Sequence, residues 1–477
     1  MSTKTKEKAF SNISAKSFIT VVAVLLVLLV FCGALSYFIP QGEFQRDEAN
    51  NIIKDTYVQG DIKGIEIWRI VTAPFRVFAG ADSITIIMIS VFLLIMSGVF
   101  NLLEKTGGIK IFIVRIMNKL SGKIGWIIGA LSLVFMFFGS MFGMFEELVT
   151  LLPIVIVFML SLNQDTMMGL GCCLLSACFG FSAAITNPFS VGLASKYAGV
   201  SPASGTWLRV IFFIIVYAMV FGFLYLYMKK IKKSPEASPT YEIDKEKKAK
   251  LENTPTIYGS HAQRIFKTYS VFFAVQVVVL VLIASIRAIS GLAIPILAAS
   301  FLITGIICGV IASNNFRAVV KYIIQGAVAM LPAVIMIALA SSVTLVMNES
   351  GIMDTIMNFA ITLLVGKSRF IAVLLIYVLI LFLQIFIGSA SAKIFLIMPI
   401  IVPIASALGI SPSLVILTYC MADGFTDIIM PTNPVLLIGL SMADVSYFKW
   451  VKWTWKLQIF VFLVSILVLL FGVYIGY

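Results

Sequence analysis

The sequence predicts an all-α polytopic membrane protein, an inverted repeat with about nine transmembrane spans, two of them broken helices, plus two re-entrant hairpins. Three observations carry that expectation. The 477 residues are 60% hydrophobic and 12% charged, with mean hydropathy +1.06, outside the range of soluble domains. Many apolar runs reach the ~18–20 residues that cross a bilayer core. A single offset of 246 residues carries Pro153 onto Pro399, Phe179 onto Phe425, and Thr186-Asn187-Pro188 onto Thr432-Asn433-Pro434.

Residues 1–17 are polar and expected in the cytoplasm, because the apolar run that follows is too long for a signal-peptide core. The first transmembrane half is 18–228. A span at 18–39 leads to an external loop at 40–66. Ile65 to Phe78 suits an interfacial helix, and a span at about 84–103 follows. Residues 124–162 read as a hairpin, two apolar arms of roughly 15 residues, short for spans, around Gly143-Met144-Phe145-Glu146-Glu147. A broken helix at about 167–203 is interrupted at Thr186-Asn187-Pro188. A clean span at 207–228 ends in lysines. Residues 229–267, charged and containing Pro235, Pro239 and Pro255, are expected to be a mobile cytoplasmic linker.

The second half is 268–477. Its spans fall at about 268–287, 292–312 and 322–347. A second hairpin at about 370–408 turns at Gly388-Ser389-Ala390-Ser391-Ala392-Lys393. The second broken helix, about 413–449, contains Asp423-Gly424 and Asp427 before Pro431-Thr432-Asn433-Pro434, and a last span covers 455–476. Counting spans brings the first hairpin in from the cytoplasm and the second from outside, so the repeat is inverted.

The net charge of +13 does not point to nucleic acid. Lysines cluster before the first span, at 105–123 and at 229–250, while the loop after the first span is acid-rich. That is the positive-inside pattern of a bacterial cytoplasmic membrane protein with its N-terminus inside, touching lipid but no nucleic acid. The six cysteines lie in apolar segments without CxxC spacing, and the one histidine, His261, is in a polar loop. No metal site, disulfide framework or catalytic motif is indicated, so an enzyme is not expected.

Broken backbone at membrane depth survives only where protein or a water-filled cavity covers it, and ionisable groups there are costly. The candidate substrate-binding residues are therefore Glu146, Glu147, Thr186, Asn187, Ser389, Ser391, Lys393, Asp423, Asp427, Thr432 and Asn433. Asn187, Asn433 and Asp427 are also candidates for contacting a coupling sodium ion or proton; no other cofactor is expected. A structural bridge from Lys393 to Glu147 or Asp427 is the plainest role for the buried lysine. Four acids against one base suit a cationic or zwitterionic solute better than a dianion.

At these motifs the chain resembles the four-carbon-dicarboxylate anaerobic carrier-like family of the ion-transporter superfamily. Gly143 to Glu147, Thr186 to Phe189, Gly388 to Ser391, and Asp423-Gly424 with Pro431-Thr432 carry the likeness. It implies a homodimer with a scaffold region and a mobile region of hairpins and broken helices, and relatives that carry basic amino acids or dicarboxylates. The expected function is secondary active transport of a small amino acid, basic ones such as arginine or ornithine first, as exchanger or ion-coupled carrier. An ion-coupled dicarboxylate transporter is the alternative, and an ion channel or a cation/proton antiporter is more distant.

Overall fold

The repeat seen around Thr-Asn-Pro runs through most of the chain. Ala15–Leu35 answers to Ala293–Ser313, Ile67–Arg76 to Phe316–Ala329, and Ser83–Lys105 to Leu331–Glu349: Ala15–Leu35 packs on Leu331–Glu349 as Ala293–Ser313 packs on Ser83–Lys105. Ile124–Phe142 likewise answers to Arg369–Leu383, and Thr206–Lys233 to Tyr447–Ile475. The loop after Ala15–Leu35 contains a short antiparallel pair, Gly42–Glu43 with Val58–Gln59, and the helix Ser260–Ser285, which packs on Ala293–Ser313, has no counterpart among the described residues. One added crossing at that point reverses the sense of everything after it, which is what an inverted repeat requires.

This structure, a computed structural model, describes residues 15–46, 56–80, 83–108, 111, 123–149, 151–253, 260–285, 292–364 and 366–477. The N-terminal lysines before residue 15, the basic residues between 112 and 122, and acids 47, 48 and 55 lie outside them. Among the described residues, 7 helices are long and apolar enough to cross a membrane, and shorter apolar helices accompany them.

The two halves interlock. Each hairpin's first arm packs on the first part of its own broken helix: Ile124–Phe142 on Ser176–Ser182, and Arg369–Leu383 on Pro412–Asp423. The helix after each break packs instead on the other half's hairpin: Leu193–Ala198 on Ala390–Ala407, and Pro434–Ala443 on Leu152–Ser161. A second group, built from the helices at 15–35, 67–76, 83–105, 260–285, 293–313, 316–329 and 331–349, packs largely within itself. Ser97 Oγ donates to Gly326 O at 2.8 Å and Asn101 Nδ2 to Tyr322 O at 2.6 Å, the small-residue and polar contacts that hold helices together in lipid.

Three expectations are corrected. The single span predicted at 322–347 is two helices, Phe316–Ala329 and Leu331–Glu349. Pro332 lies in the first turn of the second, where a residue without an N–H is tolerated and an interior proline is not. The first hairpin arm continues to Phe142 before Gly143 turns the chain with φ +68°. The linker is ordered over the part the structure describes: a turn at Pro235–Ala237 and a helix at Tyr241–Asn253. Asp244 is buried, accepting from Thr166 N at 3.0 Å, from Thr166 Oγ1, and from Thr240 Oγ1 at 2.7 Å. Asp165 accepts from Met168 N at 2.7 Å, from Ser238 Oγ at 2.6 Å and from the Tyr227 hydroxyl. Two carboxylates thus cover the unsatisfied N–H groups and positive dipole end where the first broken helix begins. Lys247 Nζ, in the same linker helix, donates to Thr166 Oγ1 at 3.2 Å and to Ala443 O at 2.6 Å, at the end of the second broken helix.

Candidate functional site

Thr-Asn-Pro is, locally, a helix start. Asn187 Oδ1 accepts from Phe189 N at 2.9 Å and Ser190 N at 3.3 Å; Asn433 Oδ1 accepts from Val435 N at 2.9 Å and Leu436 N at 3.4 Å. The proline that follows occupies the first helical position, where its missing N–H costs nothing. The asparagine oxygens named as candidate cation contacts are thus used in capping. Asn187 Nδ2, a donor, is buried without a hydrogen-bond partner among the described residues.

Each hairpin tip is fastened to the break of its own half. Ser140 Oγ donates to Ala183 O at 2.6 Å, and Thr186 Oγ1 donates to Met141 O at 2.9 Å. A Cβ on Gly143 would lie 2.2 Å from Asn187 Oδ1, so the tip needs glycine for contact as well as for its positive φ. In the second half, Thr432 Oγ1 donates to Gln384 O at 3.3 Å, and Tyr419 hydroxyl to Ala390 O at 2.6 Å.

The broken helices cross where their first parts end. Cys178 Sγ donates to Gly424 O at 3.0 Å, and the Phe179 and Phe425 ring centroids lie 6.4 Å apart. Both pairs are related by the repeat offset, so the pseudo-two-fold axis passes through this crossing. A Cβ on Gly424 would lie 2.0 Å from Ser182 N, so the backbones themselves are in contact.

Beside the crossing stand the charges. Lys393, one turn into the helix Ala390–Ala407, forms an ion pair with Asp423, the last residue of Pro412–Asp423, and both side chains are 0% exposed. This partner was not among those expected: the Glu147 side chain lies outside the described residues, and Asp427 is engaged elsewhere. Asp423 ends a helix that packs on the lysine's own helix, whereas Asp427 lies beyond that helix end and accepts from Gln384 Nε2. Asp427, Thr432 and Asn433 are buried as well. Ser389 is exposed and caps the helix carrying Lys393 by accepting from Ala392 N, Ser391 is half-buried, and Thr186 is exposed. Glu146 and Glu147 open the short helix Glu146–Val149; their side chains lie outside the described residues. Gln384 was not among the sequence candidates, although a lone amide in the apolar arm 370–386 was a usable signal. Its Oε1 is a buried acceptor with no hydrogen-bond partner among the described residues, where Asp423 has none besides Lys393.

A cavity of about 750 Å³ lies against the tip of the second hairpin, between Ile387, Ala392 and Phe395 and the loop residues Gln41, Glu43 and Arg46. Arg46 closes its far wall through a 3.0 Å ion pair with Asp354, which also accepts from Phe44 N at 3.1 Å.

Residues 18–474 match the family model of DcuC, the C4-dicarboxylate anaerobic carrier. The chain belongs to that family. The match makes this carrier-family chain a multi-pass membrane transporter, and it embraces both hairpins, both breaks and the ordered linker. Among curated relatives, an uncharacterised protein of Haemophilus influenzae is 27% identical over 369 residues, 76% of this chain and 71% of its own. YfcC of Escherichia coli, named as a proposed basic amino acid antiporter, is 26% identical over 413 residues, 84% of this chain and 80% of its own. Among solved structures, the YdaH transporter of Alcanivorax borkumensis aligns over 96% of this chain and 98% of its own, at 18% identity and TM-score 0.44. MtrF of Neisseria gonorrhoeae, described with a class of antimetabolite efflux pumps, aligns over 95% and 94%, at 15% identity and TM-score 0.43.

Proposed function

We propose that the protein is a secondary active transporter of small amino acids, basic ones such as arginine and ornithine first, working by alternating access. The observation that carries the reading is the buried set beside the helix crossing: the acceptors Asp423, Asp427 and Gln384 Oε1, with Lys393 paired to Asp423. A guanidinium or ammonium group brings several N–H donors and a positive charge, which suit Gln384 Oε1 and a carboxylate already matched to a cation, Asp423. The substrate's own carboxylate would fall to the donors at the breaks, such as Asn187 Nδ2, and to the positive ends of the helices that start at Pro188 and Pro434. The relative proposed as a basic amino acid antiporter supports the same substrate class.

The division into two groups of helices supports a motion in which the hairpins and broken helices move together against the second group. Exchange needs no coupling ion; net uptake would draw on a sodium or proton gradient. A second reading, dicarboxylate transport, is favoured by the family description and by Lys393, a buried cation that a carboxylate could claim from Asp423.

Labelled uptake into proteoliposomes of the purified protein tests the choice, with arginine, ornithine, succinate or fumarate inside and out, with and without each gradient. Arginine–ornithine exchange indifferent to fumarate is the expected result. Gradient-driven fumarate or succinate uptake without amino acid exchange would overturn it.

A further inference from the structure

We infer that Lys393 is a tethered competitor for the substrate's cationic group at Asp423: its ammonium yields the carboxylate when cargo binds and reclaims it when cargo leaves. The inference rests on the reading of the site as a binder of basic amino acids and adds how the carrier reorients without cargo.

Three observations converge on it. The pair is fully buried, and apart from each other neither Lys393 Nζ nor either oxygen of Asp423 has a hydrogen-bond partner among the described residues. Each group therefore depends on the other, and whatever separates them must supply a replacement charge. Second, the two groups sit on different elements. Asp423 ends the first part of the broken helix, while Lys393 rides on the hairpin arm whose first residues form the tip, with exposed Ser389 three residues before the partly buried Ala392. A small shift of that tip changes the distance between lysine and aspartate without disturbing either helix's own hydrogen bonds. Third, the neighbouring carboxylate is held differently: Asp427 accepts from the neutral amide of Gln384, on the other hairpin arm. Asp423 is held by the Lys393 ammonium.

The physical consequence concerns the step in which the carrier returns without cargo. A buried carboxylate stripped of its counter-charge is strongly disfavoured, so a carrier with no internal cation can reorient only when loaded and is confined to exchange. Lys393 relieves that restriction by neutralising Asp423 from within. It also sets specificity: a ligand must offer a cation able to displace a primary ammonium from a carboxylate, and guanidinium does so bidentately. A neutral or anionic ligand leaves the pair closed.

The test compares two modes in proteoliposomes of the full-length protein, with labelled L-arginine as probe: counterflow against lumenal arginine, and net uptake into arginine-free lumen under an inside-negative potential. The wild type is expected to run both. Lys393→Gln is expected to lose net uptake by at least about tenfold more than it loses counterflow, because only the unloaded return requires the lysine. Lys393→Arg, which keeps the charge, should restore the wild-type ratio. Equal loss of both modes in Lys393→Gln overturns the inference, as does a wild type that exchanges arginine but has no net uptake. If Lys393→Gln is not recovered folded, Lys393→Met combined with Asp423→Asn, which leaves no orphan charge, decides: arginine counterflow should fall by about tenfold or more in folded protein, and wild-type counterflow overturns the inference. A wild type inert to both arginine and ornithine in both modes overturns the substrate reading itself, a result distinct from an altered ratio.

Discussion

Removing the Asp244 carboxylate should release the linker from the transport machinery. In Asp244→Ala the helix Tyr241–Asn253 loses the acceptor for Thr166 N, Thr166 Oγ1 and Thr240 Oγ1. Hydrogen bonds to a charged group are worth about 1.5–3 kcal/mol each, but three on one carboxylate share its desolvation and do not add in full. A loss of about 3 kcal/mol for local opening is the reasonable figure, on the order of a 100-fold rise in the open population. Hydrogen exchange of the detergent-solubilised protein reads that population directly. Amides of Tyr241–Asn253, and of the first turn of Thr166–Leu170, should exchange about 100-fold faster in the variant, with core amides such as those of Thr206–Lys233 unchanged. Lys247→Met, which removes the donor to Ala443 O, should loosen the same helix to a smaller degree. Exchange within a factor of about 3 of wild type would refute the anchoring, because a solvated linker has no protection to lose.

Asp165 gives a pH dependence with a defined sign. Burial pushes its carboxyl above the usual range, opposed by the hydrogen bonds from Ser238, Tyr227 and Met168, and helped by the charge of Asp244. A carboxyl raised in the folded state binds protons more tightly folded than unfolded, so its contribution is full below about 3.9 and is lost as pH rises through the raised value. Protection of the 166–170 turn should therefore weaken with rising pH, and less steeply in Asp165→Asn; identical pH profiles would remove Asp165 as the cause. Asp427→Asn keeps an oxygen for Gln384 but removes the charge, and should abolish amino acid transport with folded protein retained; wild-type rates would exclude it from the site. Gly424→Ala forces a methyl to within 2.0 Å of Ser182 N, so the broken helices must part, at a cost of about 1–3 kcal/mol or more. Its melting temperature and transport rate should both fall, and an unchanged melting temperature would refute the backbone contact.

Much of this was legible in the sequence because it is local or periodic. Asn followed by Pro reads as a helix start in isolation, and two copies at one offset identify the breaks before any tertiary contact is known. Lys393 in an apolar arm required a carboxylate. Which carboxylate was not legible, because Glu147, Asp423 and Asp427 lie on three elements and the choice is made by how those elements pack. Asp423 pairs with the lysine because its helix packs on the lysine's helix. The linker misled for a related reason. Its lysines and glutamates read as solvated, yet Ser238, Thr240 and Asp244 are buried by the N-terminus of a helix some seventy residues upstream. The division of residues 316–349 was visible at Pro332, but the apolar run across it reads as continuous because both helices carry the same kind of side chain.

The fold repeats, but the charge does not. At the offset that superposes Cys178 on Gly424 and Phe179 on Phe425, Asp423 corresponds to Ala177, Asp427 to Phe181, and Gln384 to Phe138. Only Lys393 meets an ionisable partner in register, Glu147. A literal repeat would have placed four carboxylates around one apolar crossing, where like charges in low dielectric would drive protonation and open the helices. Apolar residues at 138, 177 and 181 avoid that, and they leave Asp423, Asp427 and Gln384 on the second half alone. Symmetry in the backbone then serves the motion, since two interlocked halves offer two packings of similar energy. Asymmetry in the side chains serves recognition, since one carboxylate with its own lysine can be claimed by one cationic group at a time. On the proposed reading, a carrier built this way binds a single cargo per cycle at a place that the second hairpin, through Lys393, both neutralises and guards.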